Sequence, residues 1–179
     1  MIKIKLAYES DTEVLALLSR ITYVESHGHF IEDKDDLAKY LEQAFSIAKT
    51  RKNLKDANIF FYLIYADELP VGYAKLVLQT AHKNVPSKNN GQLEKIYVLH
   101  DFIPLKLGQK LINFVEEEAQ KMGLDTLWLC TYIKNQRAIR FYQKNKFKNV
   151  GAFNFLVNET PYENIVFSKN ILIQDENVE

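Results

Sequence analysis

Two short runs rich in branched and aromatic side chains, QLEKIYVL at residues 92–99 and DTLWLCTY at 125–132, enclose a stretch in which Leu111, Val115, Ala119 and Met122 recur at helical spacing. Strand, helix, strand over residues 93–131 is a βαβ unit, so its two strands run parallel in one sheet and are joined by a right-handed crossover. Gly123 stands where such a helix would close with a left-handed cap. The unit has a chemical consequence. The chain leaves the C-terminal end of the first strand and enters a helix N-terminus whose unpaired N–H groups favour an anion, so a phosphate site is expected near residues 106–110.

The flanking chain extends this sheet. Ile2, Ile4, Leu6 and Tyr8 alternate with Lys3, Lys5 and Ala7, the period of a half-buried strand over residues 2–8. Ser10 and Glu13 form a capping-box signature, and Val14, Leu17, Leu18 and Ile21 predict the buried stripe of a first helix. A second helix opens in Asp33, Asp35 and Asp36, which suit its dipole, and buries Leu37, Leu41, Ala44, Phe45 and Ala48. NIFFYLIYA at 58–66 and VGYAKLVLQ from residue 71, joined by a turn at 67–70, read as a hairpin. Residues 80–91, with Pro86, Ser87, Asn89, Asn90 and Gly91, read as a loop with freedom to move. Beyond the βαβ unit Asn135 caps a helix through Gln143, and FKNVGAFNFLV and ENIVFSKNILI close the chain as paired strands. The order βααβββαβαββ predicts an α/β (α+β) fold, a mixed sheet of about seven strands flanked by about four helices, in one domain over residues 1–179.

Composition narrows the function classes. Lys plus Arg number 23 and Asp plus Glu also 23, so no net field draws the molecule to nucleic acid or a membrane surface. Within that balance the charges are segregated. No acid occurs between Tyr132 and Asn158, where Lys134, Arg137, Arg140, Lys144, Lys146 and Lys148 leave an excess of six positive charges. Residues 25–42 carry Glu25, Glu32, Asp33, Asp35, Asp36 and Glu42 against Lys34 and Lys39. The basic segment suits a phosphate-bearing ligand and equally a solvated helix face. The acidic one suits a cationic acceptor, although helix-dipole chemistry already accounts for Asp33, Asp35 and Asp36. A single cysteine, Cys130, excludes an intrachain disulfide and reads as a buried, inert thiol. His27, His29, His82 and His100 show no zinc spacing, so no metal is expected. MIKIKLAYES lacks the apolar core of a signal peptide, and no run approaches the roughly 18 apolar residues of a spanning helix, so a cytoplasmic protein without a membrane partner is expected.

The C-terminal half carries a motif as well as a pattern. QLEKIYVL, a loop with Gly108, a helix, DTLWLCTY and then NQRAIRFYQKNKFKNVGAF resemble the acetyl-CoA-dependent N-acetyltransferase (GNAT) superfamily. The most specific piece is Asn-x-x-Ala-x-x-Phe-Tyr-x-Lys, here Asn135, Ala138, Phe141, Tyr142 and Lys144, followed by Phe147 and Gly151-Ala152-Phe153. The helical pair before the second strand and the closing GAFNF…NIVFSKNI are similar to bacterial spermidine/spermine N-acetyltransferases of the PaiA type, and the likeness spans residues 2–173. One segment departs from the family. Its pyrophosphate loop usually reads Arg/Gln-x-x-Gly-x-Gly/Ala, whereas this chain has Ile103, Pro104, Leu105, Lys106, Leu107 and Gly108. Lys106 at the first glycine's place either narrows the cradle or lends its charge to a phosphate.

The resemblance implies direct transfer from acetyl-CoA to a primary amine in a ternary complex, with a polyamine such as spermidine as the first acceptor. It implies a bulge that splays strand four from strand five and frees the backbone N–H of Tyr97, Val98 or Leu99 for the thioester carbonyl, a contact worth about 3 kcal/mol of barrier. Implied to hold acetyl-CoA are Ile96, Tyr97 and Val98 on that strand, then Pro104, Leu105, Lys106, Leu107, Gly108, Gln109 and Lys110 at the helix start. Asn135, Ala138, Phe141, Tyr142 and Lys144 on the next helix complete the implied set. Tyr142 is the candidate general acid, since a phenol of pKa about 10 can protonate a thiolate whose conjugate acid lies at about 8.5. A core tyrosine is the competing reading. Glu94 is the candidate base, acting through water; alternation places it with Ile96 and Val98, opposite Leu93, Lys95 and Tyr97, among apolar neighbours that would raise its pKa. A solvated edge carboxylate is the competing reading. Two other functions stay open at this point: the same fold acting on a protein N-terminus, a lysine, an amino sugar or another small amine, and a catalytically weak binding or regulatory module. The basic segment would suit nucleic acid in the second case, but the balanced charge argues against that partner. A homodimer is a further open partner state.

Overall fold

Alternating side chains make the edge strand β1 (Ile2–Leu6), after which a computed structural model describing residues 1–172 forms three helices, α1 (Thr12–His27), α2 (Lys34–Ala44) and α3 (Ile47–Leu54). The hairpin β2 (Ile59–Ala66) and β3 (Leu69–Leu78) follows, then β4 (Asn90–Val98), α4 (Leu107–Lys121) and β5 (Thr126–Tyr132). The chain ends in α5 (Gln136–Lys144), β6 (Lys148–Val157) and β7 (Thr160–Asn170). Ile173, expected in the last strand, lies outside the described residues. The strands form one mixed sheet of seven in the order β1-β2-β3-β4-β5-β7-β6, in which only β4 and β5 are parallel, as the βαβ reading requires.

Five α-helices, among the described residues, take the place of the expected four. The second helix stops at Phe45, and Ser46 starts another by accepting from the Lys49 N–H at 3.2 Å, which leaves Ala48 exposed rather than buried. Other ends match their signals. Gly123 takes φ +79° after α4, and the Leu124 N–H reaches back to the Ala119 carbonyl at 3.0 Å.

The first helix turns a different face inward. No Ser10–Glu13 capping box forms: a 3-10 turn over Glu9–Asp11 intervenes, and Asp11 accepts from the Tyr8 N–H at 2.8 Å. Leu15, Leu18 and Thr22 pack on the sheet, while Val14, Leu17 and Ile21 are 43, 61 and 41 % exposed. Burying Thr22 costs little, because its hydroxyl donates to the Leu18 carbonyl of its own helix at 2.7 Å.

Helices cover both faces. On one, Leu107, Leu111, Ile112, Val115 and Ala119 of α4 close against Leu76, Leu93 and Leu127, with Ile139 and Tyr142 of α5 alongside. On the other, Leu15 and Leu18 meet Phe61, Leu63 and Tyr73, and Tyr23, Tyr40 and Phe45 form an adjoining cluster that reaches Tyr97. The segment between β3 and β4, expected to move, is anchored: Asn84 donates to the Val150 carbonyl at 2.7 Å, Ser87 reaches Asp125 at 2.5 Å, and Val85 is buried against Trp128 and Val166. Gly151 permits this approach, since a Cβ there would lie 1.7 Å from Asn84 Nδ2.

A bulge decides the faces of β4. Lys75 lies opposite Lys95 and Leu76 opposite Leu93, so Glu94 is the extra residue. One extra residue reverses the alternation. Leu93 therefore shares the α4 side with Ile96 and Val98, while Glu94, Lys95 and Tyr97 turn together toward α1 and α2, which overturns the expected grouping of Glu94 with Ile96 and Val98.

Candidate active site

β4 and β5 pair only at Asn90–Thr126, Gly91–Leu127 and Gln92–Trp128. Past that point β4 stays on β3 and β5 stays on β7, so a wedge opens in the middle of the sheet. The Leu99 N–H donates to the Val71 carbonyl at 2.8 Å. By alternation Tyr97 also faces β3, and the N–H groups of Ile96 and Val98 point into the wedge. Of the three amides that the resemblance implied, Val98 alone is aimed at the opening.

Two cavities of about 340 Å³ each meet there, sharing Ile96 and Tyr97 of β4, Arg137, Ala138 and Tyr142 of α5, and Ser26 of α1. The first is a groove that continues along Val98, Ile103, Lys106, Gly108, Gln109, Phe141 and Lys144. It thus gathers most of the residues implied for acetyl-CoA from three separate elements. Five lie elsewhere. Pro104, Leu105 and Lys110 are exposed outside it, and Leu107 is closed into the core at 1 % exposure because the first turn of α4 points that side chain inward. Asn135 lines the other cavity and caps α5, its Oδ1 accepting from the Ala138 N–H at 3.1 Å.

The groove ends at the start of α4, which is open to solvent at Lys106 and Lys110. Lys106 has φ +55°, the left-handed conformation that a glycine adopts freely and a lysine adopts at a cost of about 1 kcal/mol. A Cβ at Gly108 would stand 3.8 Å from Phe141, at ordinary van der Waals distance. Of the first amides of α4, that of Gln109 donates to the Lys106 carbonyl at 3.1 Å, while those of Leu107 and Gly108 have no helical acceptor. Lys106, Arg137 and Lys144 add three cations to the lining.

The second cavity is walled by aromatic rings from α1, α2 and the β5–β7 side. Tyr23 stacks on His27 with centroids 4.9 Å apart and packs on Tyr40 at 4.9 Å; Tyr132 meets Tyr162 at 5.5 Å. His27 lies within hydrogen-bond distance of Ser26, Oγ to Nδ1 at 2.5 Å. Burial, then Lys95, His29 and Arg137, push its pKa down to about 4, so the ring is neutral at physiological pH. The sequence pattern pointed to none of His27, Ser26 and Tyr23, because the inward face of α1 lies one position from the expected stripe, and it gave no signal for the Tyr40 wall on α2.

Tyr142 sits where the cavities meet. Its ring is 8 % exposed and packs on Phe147 and Phe167 at 5.9 and 6.1 Å, and burial raises its pKa. It belongs to the core and lines both cavities at once. Glu94 differs from expectation. Burial acts to raise its pKa, but Lys95 and Lys75 outweigh burial and hold it below the ordinary carboxylate range. Glu94 takes Lys75 Nζ on both oxygens at 2.9 and 3.0 Å and Lys95 Nζ on Oε1 at 3.1 Å. Cys130, expected to be fully buried, is half-buried and lines the second cavity, where burial pushes its pKa up to about 11.

The acidic segment is engaged elsewhere. Asp33 caps α2 through the N–H groups of Asp35 and Asp36, and Asp36 accepts from Asn158 at 3.1 Å. Glu42 pairs with Arg20 at 3.1 Å and Glu25 accepts from the His100 N–H at 2.9 Å; none of these carboxylates lines either cavity. Among the described residues no three His, Cys, Asp or Glu side chains are grouped to hold a metal ion, and no helix is long and apolar enough to cross a membrane.

Comparison with known proteins places this geometry in context. A family model described as the acetyltransferase (GNAT) family matches residues 19–147. An N-acetyltransferase of Lactobacillus delbrueckii subsp. lactis is 25 % identical over 171 residues, covering 96 % of this chain and 98 % of its own. An aminoalkylphosphonate N-acetyltransferase of Salmonella typhimurium is 32 % identical over 98 residues, 54 % of this chain and 61 % of its own. The crystal structure of the PaiA N-acetyltransferase from Thermoplasma acidophilum in complex with coenzyme A shares the fold at a TM-score of 0.77 and 20 % identity, covering 95 % of this chain and 99 % of that one.

Proposed function

The chain belongs to the acetyltransferase (GNAT) family, and from that premise we propose that it moves acetyl from acetyl-CoA directly to a primary amine, with both substrates bound together. The observation that carries this reading is the meeting of two cavities at Tyr142 and the wedge, one on each side of the place where β4 leaves β5. Simultaneous occupancy of both is what a ternary complex requires, and it removes most of the entropic cost of bringing the partners together.

The groove fits acetyl-CoA. Lys106 and Lys144 with the open start of α4 supply charge and N–H donors for its phosphates, and Ile103 and Phe141 supply apolar wall. Acetyl-CoA brings an activated acyl group whose leaving group is a thiolate. The Ile96 and Val98 N–H groups in the wedge are placed to receive the carbonyl oxygen as the amine nitrogen bonds to the carbonyl carbon. When the C–S bond breaks, the Tyr142 phenol protonates the sulfur and regains a proton from the new amide's nitrogen through water. Burial keeps that phenol protonated at neutral pH, and the same environment makes the thiolate a better proton acceptor. Glu94, held by two ammonium groups, serves as their anchor more readily than as the proton acceptor. Lys95 and Arg137 in the acceptor cavity favour the neutral form of an arriving amine.

Spermidine, the acceptor that the PaiA resemblance implies, is the reference amine. Calorimetric titration with acetyl-CoA, followed by release of free coenzyme A thiol when an amine is added, tests the reading. Saturable binding and amine-dependent thiol release are expected; no binding at millimolar acetyl-CoA overturns it.

A further inference from the structure

The acceptor cavity holds an imbalance of charge. Its lining includes one carboxylate, Glu94, and two cations, Lys95 and Arg137. Glu94 is already taken on both oxygens by Lys75, whose side chain is 7 % exposed, and shares Oε1 with Lys95, whose side chain is 17 % exposed. Two ammonium groups out of bulk water thus share one carboxylate. Burial acts to discharge Lys95, but Glu94 outweighs it and holds the ammonium charged. His27, which lines the same cavity, is neutral and adds no charge. Besides Glu94, Asp36, Glu32 and Asp33 approach the cavity at Tyr162, where they follow burial and Tyr132 in raising its pKa.

We propose that the acetyl acceptor is a primary amine that also bears an anionic group, a carboxylate or a phosphonate, and that Lys95 and Arg137 receive this group while the aromatic walls hold the carbon chain between it and the amine. The inference rests on the acetyltransferase reading above and deepens it. A buried ammonium in excess over its carboxylate is costly until an anion completes the set, and a ligand anion does so at the moment of binding. A second cation there would meet Lys95 in a poorly screened site, which disfavours a polyamine entering tail first. Tyr23, Tyr40, Tyr132 and Phe155 give the spacer an apolar surface, and the wedge gives the amine its target.

Four acceptors with a common aminopropyl chain test this: propylamine, 4-aminobutanoate, 3-aminopropylphosphonate and spermidine, each assayed for thiol release at one pH and ionic strength beside calorimetric titration of acetyl-CoA. One or both anionic amines should exceed propylamine at least tenfold in kcat/KM, chiefly through KM, with spermidine below them; the better of the two identifies the anion. In Lys95→Met and, separately, Arg137→Gln, the ratio of kcat/KM for the better anionic amine to that for propylamine should fall at least fivefold. Acetyl-CoA binding without preference for either anionic amine, or an unchanged ratio in both variants, overturns the inference and leaves the acetyltransferase reading standing. Absence of acetyl-CoA binding overturns both.

Discussion

Glu94 gives both carboxylate oxygens to a single ammonium, with Lys75 Nζ at 2.9 Å from one and 3.0 Å from the other. The pair spans neighbouring strands at the bulge of β4, and Lys95 closes on the same carboxylate from its own strand. Glu94→Gln would leave two ammonium groups without their anion. Breaking a fully buried pair costs about 3–5 kcal/mol, and the partial exposure of Glu94 reduces this to about 2 kcal/mol. The sign with pH follows from the lowered folded pKa. The stabilisation is complete above the ordinary carboxylate range and is lost as pH falls through the folded pKa. Denaturation in urea at neutral pH should show the full deficit in Glu94→Gln, and the gap to wild type should close as the solution is acidified below the ordinary carboxylate range.

Tyr142→Phe keeps the ring against Phe147 and Phe167 and removes only the hydroxyl at the junction of the cavities. Turnover should fall by a factor of about 10–100, within the span of a lost general acid, while the melting temperature and the dissociation constant for acetyl-CoA stay close to wild type. Steady-state kinetics with calorimetry separates the two effects. Unchanged turnover would remove Tyr142 from the chemistry.

Lys106→Gly should move stability and affinity in opposite directions. The left-handed backbone at φ +55° strains a lysine, so glycine should raise stability by about 0.5 kcal/mol after its own entropy cost. The lost charge at the groove should weaken acetyl-CoA about two- to fivefold, an effect that fades with added salt. Thermal melts and titrations at two ionic strengths check both signs.

Cys130 lines the acceptor cavity with its pKa pushed up to about 11. Iodoacetamide at pH 8 should therefore react far more slowly than with a small free thiol, because the thiolate is the nucleophile. Once attached, the added group should raise KM for the amine and spare acetyl-CoA binding. Cys130→Ser should keep turnover within about twofold, as an inert wall residue would.

Where signals were local, the sequence was legible. The parallel pair β4–β5, the helix between them, the Asn135 and Gly123 caps and the paired closing strands all follow from periodicity and capping within a few residues of the feature itself. Legibility failed where two local answers were equally good. On α1 both Val14–Leu17–Leu18–Ile21 and Leu15–Leu18–Thr22 keep helical spacing; Leu18 is buried as expected, and the second line can bury its polar member because the Thr22 hydroxyl bonds inside its own helix. On β4 a single bulged residue reversed the faces, and no property of QLEKIYVL marks which residue is extra.

The order of the strands, the parallel unit and the Asn135–Lys144 motif were determined by the sequence alone, because each depends on residues within one or two turns or one strand length of each other. Membership of the site was decided only by the tertiary structure. Leu107 leaves the groove for the core, Arg137 and His27 enter the cavities, and Glu94 changes from a lone carboxylate into the shared anion of Lys75 and Lys95. Charge pairing and burial act through space, and one of the two partners that set the character of Glu94 lies on another strand, 19 residues away along the chain.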